Sequence, residues 1–164
     1  MADAKEPAIR RLEPEDAAAL CHFYNELSDG SKRLFHPLGE KINEEQCRLI
    51  AEQNLPERET KYDLVALLGE RVVGWAFLWN DADKPGEASL GIAVTDDAQG
   101  GGLGKRLITE LLAAAPARGL VRIRLTVVQD NAIARRLYEA CGFFRTGSFV
   151  GKDGLDYFSM MKEA

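Results

Sequence analysis

The chain has 164 residues and a formal net charge of −5 at pH 7, with 46% hydrophobic and 29% charged residues. This length suits one domain with a sizeable apolar core, so we expect a single domain over residues 1–164 with a folded core over about 7–162. The acidic balance argues against a nucleic-acid partner, which a basic surface would attract. No apolar run approaches the roughly 20 residues that a membrane-spanning helix needs, so a membrane partner is not expected either.

Cysteine and histidine usage indicates a reduced protein without a metal. The three cysteines, Cys21, Cys47 and Cys141, are scattered and fall on apolar faces of predicted helices. We interpret them as reduced core residues of a cytoplasmic protein. The first residues lack the basic-then-apolar pattern of a secretory signal, which supports the same expectation. With two histidines and no Cys/His cluster, a metal site is not expected.

The first half of the chain predicts the order strand, helix, helix, strand, strand. The elements are a strand over 8–12, a helix over 14–27, an irregular segment over 28–41, a helix over 43–54 and a hairpin with strands over 63–68 and 71–79. Pro14 suits the first turn of a helix, and Asn43 with Gln46 three residues later suits a helix start. Apolar residues recur at three and four residues in both helices, which is helical spacing.

The second half alternates strands and helices before two closing strands. Its elements are a strand over 88–94, a helix over 103–115, a strand over 121–127, a helix over 131–141 and strands over 143–150 and 156–161. Pro116 ends the first of these helices, and Gly142 suits the end of the second. The whole order predicts an α/β domain with a mixed sheet of about seven strands flanked by four helices.

A glycine-rich turn joins the strand over 88–94 to the helix that begins near Leu103. Its sequence is Gln99-Gly100-Gly101-Gly102-Leu103-Gly104. Glycine permits a positive φ and leaves room for a ligand, and the first N–H groups of a helix have no partner within it. Such a turn is a site for an anion such as a phosphate group.

Two common phosphate-binding loops do not fit this turn. A P-loop requires G-x-x-x-x-G-K-[ST], but Gly104-Lys105 is followed by Arg106, and Gln99 stands where the first glycine is needed. A dinucleotide fingerprint requires G-x-G-x-x-G, and its third glycine would fall on Leu107 or on Lys105. What remains is Q-x-x-G-x-G between a strand and a helix.

This pattern resembles the pyrophosphate loop [RQ]-x-x-G-x-[GA] of the GCN5-related N-acetyltransferase (GNAT) family. A second segment from Asn131 to Phe143, with Ala134, Leu137-Tyr138 and Gly142, is similar to the family's N-x-x-A-x-x-[LF]-Y-x-x-x-G-F. The element order also matches over essentially the whole chain. The resemblance implies a GNAT-like fold whose fourth and fifth strands splay apart, and an N-acetyltransferase that uses acetyl-CoA as co-substrate and needs no metal.

By this resemblance, acetyl-CoA lies between the splayed strands. Backbone groups of Ile92, Ala93 and Val94 would then meet the pantetheine amides. The loop that would hold the pyrophosphate consists of Gln99, Gly100, Gly101, Gly102, Leu103, Gly104 and Lys105. Lys105 and Arg106 either add charge near the phosphates or lie on a solvated helix surface. Asn131 is expected both to cap its helix and to contact the cofactor.

Tyr138 is the candidate general acid. By resemblance its hydroxyl lies near the cofactor sulfur, although a tyrosine on an apolar helix face can also be a plain core residue. The reference pKa is about 8.5 for a thiol and about 10 for tyrosine, so Tyr138 can protonate a departing thiolate and still be protonated at rest. A backbone N–H near Ile92 or Val94 is the candidate donor to the oxyanion.

Glu87, where the fourth strand begins, is the first candidate for the general base, because family members often use a carboxylate on that strand. The alternative is a polar residue that closes the Pro85-Gly86 turn. Asp63, His36 and Tyr157 are weaker candidates, and ordered water suffices in some family members.

Gly91, inside the same strand, suggests a β-bulge or a close approach. The alternative is that it relieves packing under Trp75 or Phe77.

The expected acceptor is a primary amine of a small molecule, bound over residues 28–41 and 151–156. A protein N-terminus or lysine, or a non-catalytic acyl-CoA sensor, are the alternatives. Lys32, Arg33 and His36 are candidates for binding a carboxylate or phosphate of the acceptor, unless they are ordinary charges of an exposed loop. Phe35 and Leu38 either line the acceptor pocket or anchor the loop to the core. A homodimer is an open alternative, because Trp75, Trp79 and the terminal strands offer apolar surface.

Overall fold

A computed structural model of the chain describes residues 5–34 and 41–164, and of residues 32–34 the backbone alone. One seven-stranded sheet has the order β1-β2-β3-β4-β5-β7-β6. Its strands are β1 (Ala8–Arg11), β2 (Lys61–Leu68), β3 (Arg71–Asn80), β4 (Glu87–Val94), β5 (Arg122–Val128), β6 (Phe144–Val150) and β7 (Asp156–Glu163). The helices are α1 (Ala17–Asn25), α2 (Asp29–Leu34), α3 (Glu44–Glu52), α4 (Leu103–Ala114) and α5 (Ala132–Ala140).

The seven-stranded mixed sheet is confirmed, but the described part of the chain has five helices rather than four. The additional helix, α2, lies in the segment predicted to be irregular. Ser28 Oγ accepts a hydrogen bond from the backbone N–H of Ser31 at 3.2 Å, which is the geometry of an N-cap. Gly30 falls in the first turn of α2, where the conformational freedom of glycine costs less than in a helix interior.

The start of α3 was predicted correctly because its signal is local. Asn43 Oδ1 accepts from the backbone N–H of Gln46 at 2.8 Å, and Gln46 Oε1 accepts from the backbone N–H of Asn43 at 2.9 Å. The two side chains therefore satisfy two backbone donors reciprocally at the helix start.

Two apolar layers cover the two faces of the sheet. One layer packs α4 and α5 against the sheet and includes Leu107, Leu111 and Ile123. The other packs α1 and α3 against it and includes Tyr24, Cys47 and Trp75. Because strand side chains alternate between faces, β2, β3 and β4 each supply residues to both layers. The three cysteines are free thiols, Cys47 fully buried and the other two half-buried.

The sheet opens between β4 and β5. These strands pair in parallel only over the first three residues of each, Glu87 to Ser89 with Arg122 to Arg124. Beyond that point β4 remains paired with β3, while β5 remains paired with β7 along its whole length. The predicted splay is confirmed, and it leaves one edge of β4 without a strand partner.

The predicted bulge at Gly91 is wrong. β3 and β4 pair in continuous register, with Phe77 opposite Gly91. A Cβ atom on Gly91 would overlap the Phe77 ring, so any side chain there would displace the ring. Glycine is therefore required for the packing of an aromatic side chain, which was the alternative explanation.

The expected apolar surface at Trp75 and Trp79 is also wrong, because both rings turn inward. Trp75 is fully buried and Trp79 half-buried, and both indole N–H groups donate to Asp63. Exposed large apolar side chains lie instead on β6, at Phe144 and Val150 among others. Within the described ranges, no helix is long and apolar enough to cross a membrane.

Candidate active site

The opening between β4 and β5 contains a cavity of about 590 Å³, which we call the first cavity. Its walls come from β4, the glycine-rich turn, the first turn of α4, β5, α5 and the region around α2. The lining residues include Ile92, Ala93, Val94, Gln99, Gly100, Gly102, Leu103, Gly104, Lys105, Thr126, Val127, Asn131, Ile133, Ala134, Leu137 and Tyr138, with Ser28, Gly30 and Ser31 at the α2 side. Of the predicted cofactor-binding residues and the first candidates for acid and base, all except Gly101 and Glu87 line this cavity.

The glycine-rich turn has the conformation that its composition predicts. Gly100 has φ 87° and Gly102 has φ 83°, both in the left-handed region that favours glycine. Gly102 directly precedes α4, and its carbonyl accepts the backbone N–H of Arg106 at 3.1 Å. The N–H groups at the start of α4 have no acceptor within the helix, so they are available at the wall of the first cavity.

Gln99 ties this turn to the end of β4. Its Nε2 donates to the Val94 carbonyl at 3.0 Å and to Asp96 Oδ1 at 3.3 Å. The side chain thereby fixes where the turn leaves the strand. Sequence reasoning had located Gln99 through its family pattern alone and did not predict these contacts.

The two basic residues that follow the turn have different environments. Lys105 is exposed and lines the first cavity. Arg106 is half-buried, and its Nη2 donates to the Pro7 carbonyl at 3.3 Å. Arg106 therefore anchors α4 to the segment before β1, and only Lys105 lies where it can add positive charge to the cavity wall.

Gly104 and Asn131 position α4 and α5 around the first cavity. A Cβ atom on Gly104 would lie 3.2 Å from Leu137 Cδ2, so glycine allows α4 to approach α5 closely. Asn131 Oδ1 accepts the backbone N–H of Ala134 at 3.3 Å, which confirms the predicted cap. Because Asn131 also lines the cavity, its cap function and a ligand contact are compatible.

Tyr138 is both a core residue and a wall of the first cavity. The residue is only 8% exposed and packs edge-on against Phe143, with ring centroids 6.1 Å apart. Burial raises the pKa of Tyr138, with a smaller contribution from Cys141, so the hydroxyl is protonated at neutral pH. A protonated hydroxyl at a cavity wall is a proton donor to whatever the cavity holds.

Glu87 is not part of the first cavity. It is buried at the paired end of β4, where Arg122 of the adjacent strand donates to its Oε1 from Nη1 at 3.1 Å. The Glu87 carboxylate thus pairs with the Arg122 guanidinium where β4 and β5 are hydrogen-bonded to each other. The structure therefore does not bring the first candidate base to the cavity that contains Tyr138.

Of the weaker base candidates, Asp63 and Tyr157 do not line the first cavity either. Asp63 is fully buried and accepts from the indole N–H groups of Trp75 and Trp79 and from Asn54 Nδ2. The Tyr157 hydroxyl donates to Asp153 at 2.5 Å in the closing hairpin. His36 lies outside the described residues, as do Phe35, Leu38 and the side chains of Lys32 and Arg33. Among the described residues, no group of three or more His, Cys, Asp or Glu could hold a metal ion.

A second cavity of about 560 Å³ lies beside the first and was not predicted. Strands β4, β5, β6 and β7 form its walls. Its lining includes Asp81, Ser89, Leu90, Arg124, Leu125, Thr126, Thr146, Gly147, Ser148, Phe149, Ser159 and Met160. Thr126 lines both cavities, so they meet where β4 and β5 separate. The predicted acceptor region at 151–156 lines neither cavity, whereas Ser28 and Ser31 line the first.

The sequence does contain a signal for this second cavity. Along β5, Ile123, Leu125 and Val127 are buried in the layer under α4 and α5. Arg124 and Thr126 alternate with them and so project from the other face of the sheet. Two polar side chains on a central strand are unusual for a face buried in a core, and this alternation could have indicated a cavity there.

Comparisons with known proteins agree with this architecture. The sequence model of the Acetyltransferase (GNAT) family matches residues 16–143. A mycothiol acetyltransferase from Actinosynnema mirum is 36% identical over 107 residues, which cover 62% of this chain and 36% of that protein. This chain therefore spans little more than a third of that relative's length.

Solved structures share the fold over nearly the whole chain. The acetyltransferase of GNAT family from Streptococcus pneumoniae has a TM-score of 0.85 at 28% identity, covering 96% of this chain and 99% of its own. A phosphinothricin acetyltransferase from Sinorhizobium meliloti, solved with acetyl-CoA, has a TM-score of 0.78 at 22% identity, covering 97% and 89%. The family match extends over most of the chain and includes the glycine-rich turn, β5 and α5. The chain belongs to the Acetyltransferase (GNAT) family.

Proposed function

We propose that this enzyme transfers the acetyl group of acetyl-CoA to a primary amine of a small molecule, with both substrates bound together. The observation that carries the proposal is the meeting of the two cavities at Thr126. The first cavity suits acetyl-CoA and the second suits an amine. The reacting groups would meet in the gap between β4 and β5.

The first cavity has the groups that acetyl-CoA requires. The left-handed glycines and the start of α4 offer backbone N–H groups and a positive helix end to a pyrophosphate, and Lys105 adds a charge. Beyond Ser89, β4 has no strand partner on its β5 side, so its backbone can hydrogen-bond an extended amide-containing chain. Ile92, Ala93 and Val94 are the residues that would bind pantetheine in this way.

The chemistry that this chain must supply is proton transfer and charge stabilisation. Attack of an amine on a thioester forms a C–N bond, gives a tetrahedral oxyanion and then expels a thiolate. We infer that Tyr138 donates its hydroxyl proton to that thiolate, because it is buried, protonated and in the cavity wall. A backbone N–H of β4 near Ile92 or Val94 is the proposed donor to the oxyanion.

In the proposed reaction, Glu87 does not act as the general base. Its carboxylate is hydrogen-bonded to Arg122 at the end of the sheet opening where β4 and β5 are paired. We propose that the proton of the attacking amine leaves through water in the second cavity, which has hydroxyl groups at Ser89, Thr126 and Ser159. Alignment of two bound reactants then provides much of the rate acceleration.

A small-molecule acceptor is favoured by the limited volume of the second cavity, about 560 Å³, and by the mycothiol acetyltransferase relative. The test is CoA thiol release from acetyl-CoA with a panel of amino acids, polyamines, aminoglycosides, short peptides with free N-termini and lysine-containing peptides. Mass spectrometry of the product identifies the acetylated amine. We expect a small amine to be the best acceptor. Turnover restricted to peptides would replace the proposed acceptor class, and acetyl-CoA binding without turnover of any amine would indicate a sensor.

A further inference from the structure

We propose that Arg124 binds a carboxylate of the acceptor, so that this enzyme prefers small amino acids over amines without an acid group. The inference rests on the proposed function and deepens it, since it names a residue that selects the substrate. It rests on the position of Arg124 in the sheet, on the absence of an acidic partner among the described residues and on the residues around it in the second cavity.

Arg124 lies where the two strands begin to separate. It pairs with Ser89 of β4, and this is the last pair in the parallel ladder. Its neighbours Ile123 and Leu125 are buried in the layer under α4 and α5, so the Arg124 side chain projects from the opposite face. There it lines the second cavity, next to the gap through which an acceptor must reach the thioester.

Arg124 has no acidic partner within the described part of the chain, although it is half-buried. Arg122, two residues earlier on the same face, differs because it binds both Glu87 at 3.1 Å and Glu163 at 3.5 Å. The acidic residue of the second cavity, Asp81, accepts instead from the backbone N–H of Asp83 at 2.9 Å. A half-buried guanidinium without a counter-ion is a ready site for a carboxylate, which it can bind through two parallel hydrogen bonds.

The spacing along β5 fits an amine close to an acid group. Arg124 and Thr126 are two residues apart, which in a strand is about 7 Å. Thr126 marks the place where the two cavities meet. An acceptor with its carboxylate at Arg124 would therefore present an amine a few bonds away at the gap. Ser89, Thr126 and Ser159 add hydroxyl partners around it. A peptide N-terminus, whose nearest acid group is replaced by an amide, would leave the guanidinium without a counter-charge.

The test compares acceptors that differ only in the acid group. For each amino acid, kcat/KM is measured beside that of its primary amide and of the amine that lacks the carboxylate. We expect wild-type enzyme to favour the acid by about tenfold to hundredfold, the range for a charged hydrogen-bonded pair. Arg124→Gln should remove most of this preference through KM, and Arg124→Lys should restore part of it.

Arg136→Gln is the matched control, because Arg136 is exposed on α5 and lines neither cavity. It should keep the wild-type preference. Acetyl-CoA binding and thermal unfolding are measured for every variant, so that a misfolded protein is recognised. Turnover without a preference for the acid, or a preference that persists in Arg124→Gln, would overturn this inference alone. Absence of turnover with every acceptor would overturn the proposed function and this inference together.

Discussion

Tyr138 shows how one side chain can serve both the core and the site. Its ring packs against Phe143, while the residue also lines the first cavity. Core packing restricts the position of the ring, and burial raises the pKa of its hydroxyl. Both effects favour a donor that is oriented and protonated before the thiolate forms.

Tyr138→Phe should lower kcat by about a hundredfold, because general acid catalysis contributes about 10²-fold to 10⁴-fold. The affinity for acetyl-CoA should change little, since the phenyl ring keeps the packing. Steady-state kinetics and calorimetric titration measure the two effects separately. Because the pKa of Tyr138 is raised, wild-type kcat should show no loss from tyrosine ionisation below about pH 10. A kcat within twofold of wild type would remove Tyr138 from the reaction.

Asp63 is a buried carboxylate that accepts hydrogen bonds from two tryptophans and lines neither cavity. Trp75 Nε1 donates to it at 2.7 Å, Trp79 Nε1 at 3.0 Å and Asn54 Nδ2 at 2.9 Å. The two indole hydrogen bonds to Asp63 fix the orientation of both tryptophans in the layer under α1 and α3, and Asn54 in turn holds the carboxylate. Burial is the largest influence on its pKa and raises it, against the opposing effect of the hydrogen bonds.

This pKa shift predicts a pH dependence of stability. A carboxyl group with a raised pKa binds its proton more tightly in the folded than in the unfolded state, so its contribution to stability is lost as pH rises above about 3.9 towards the folded-state pKa. Asp63→Asn cannot titrate. The free energy of unfolding of wild type relative to Asp63→Asn should therefore fall as pH increases, as measured by urea unfolding at several pH values. A difference that is constant or grows with pH would contradict this account.

At the scale of elements, the glycine-rich turn shapes the first cavity through backbone conformation. Gly100 and Gly102 have positive φ, whereas Gly101 between them does not. No heavy atom lies within 4 Å of a Cβ atom placed on any of the three. The effect of a substitution at each glycine should therefore depend on its backbone φ rather than on steric room for a side chain.

Gly102→Ala should weaken acetyl-CoA binding by about tenfold, because a left-handed conformation costs a non-glycine residue about 1–2 kcal/mol. Gly101→Ala is the matched control and should bind with nearly wild-type affinity. Calorimetric titration of both variants with acetyl-CoA provides the comparison. Equal affinities in the two variants would show that the turn does not hold the cofactor in this conformation.

Most elements were predicted from the sequence because their signals are local, although α2 was missed despite its local Ser28 cap. The Asn43 cap, the Gly142 helix end and the alternation along β5 each depend on residues close in the chain. Contacts set by strand register were not predictable in this way. The packing of Phe77 on Gly91 depends on residues brought together only by the pairing of β3 with β4.

The same difference between local signals and contacts set by strand pairing applies to the site. The residues of the first cavity were found because one continuous turn and one helix carry most of them. The second cavity takes walls from four strands, so the alternation along β5 indicates only one of its walls. The pairing of Glu87 with Arg122 likewise depends on a parallel ladder between distant segments, so the sequence did not indicate it. Glu87 was expected at the site only through the family resemblance.

At the scale of the whole molecule, the site exists because the single sheet separates into two sets of strands. β4 stays with β3 and β5 stays with β7, and the two pairs are joined only through three residue pairs at the start of β4 and β5. At this separation the first cavity is lined in part by α4 and α5, and the second cavity is lined by β4, β5, β6 and β7. Under the proposed function, one substrate would occupy each of these cavities.

The measurement that tests this account most directly is initial-rate kinetics with acetyl-CoA and the acceptor varied together, followed by CoA thiol release. Transfer between two cavities that meet at Thr126 requires both substrates to be bound at once, so double-reciprocal plots should intersect. Parallel plots would indicate an acetylated enzyme intermediate and would contradict direct transfer.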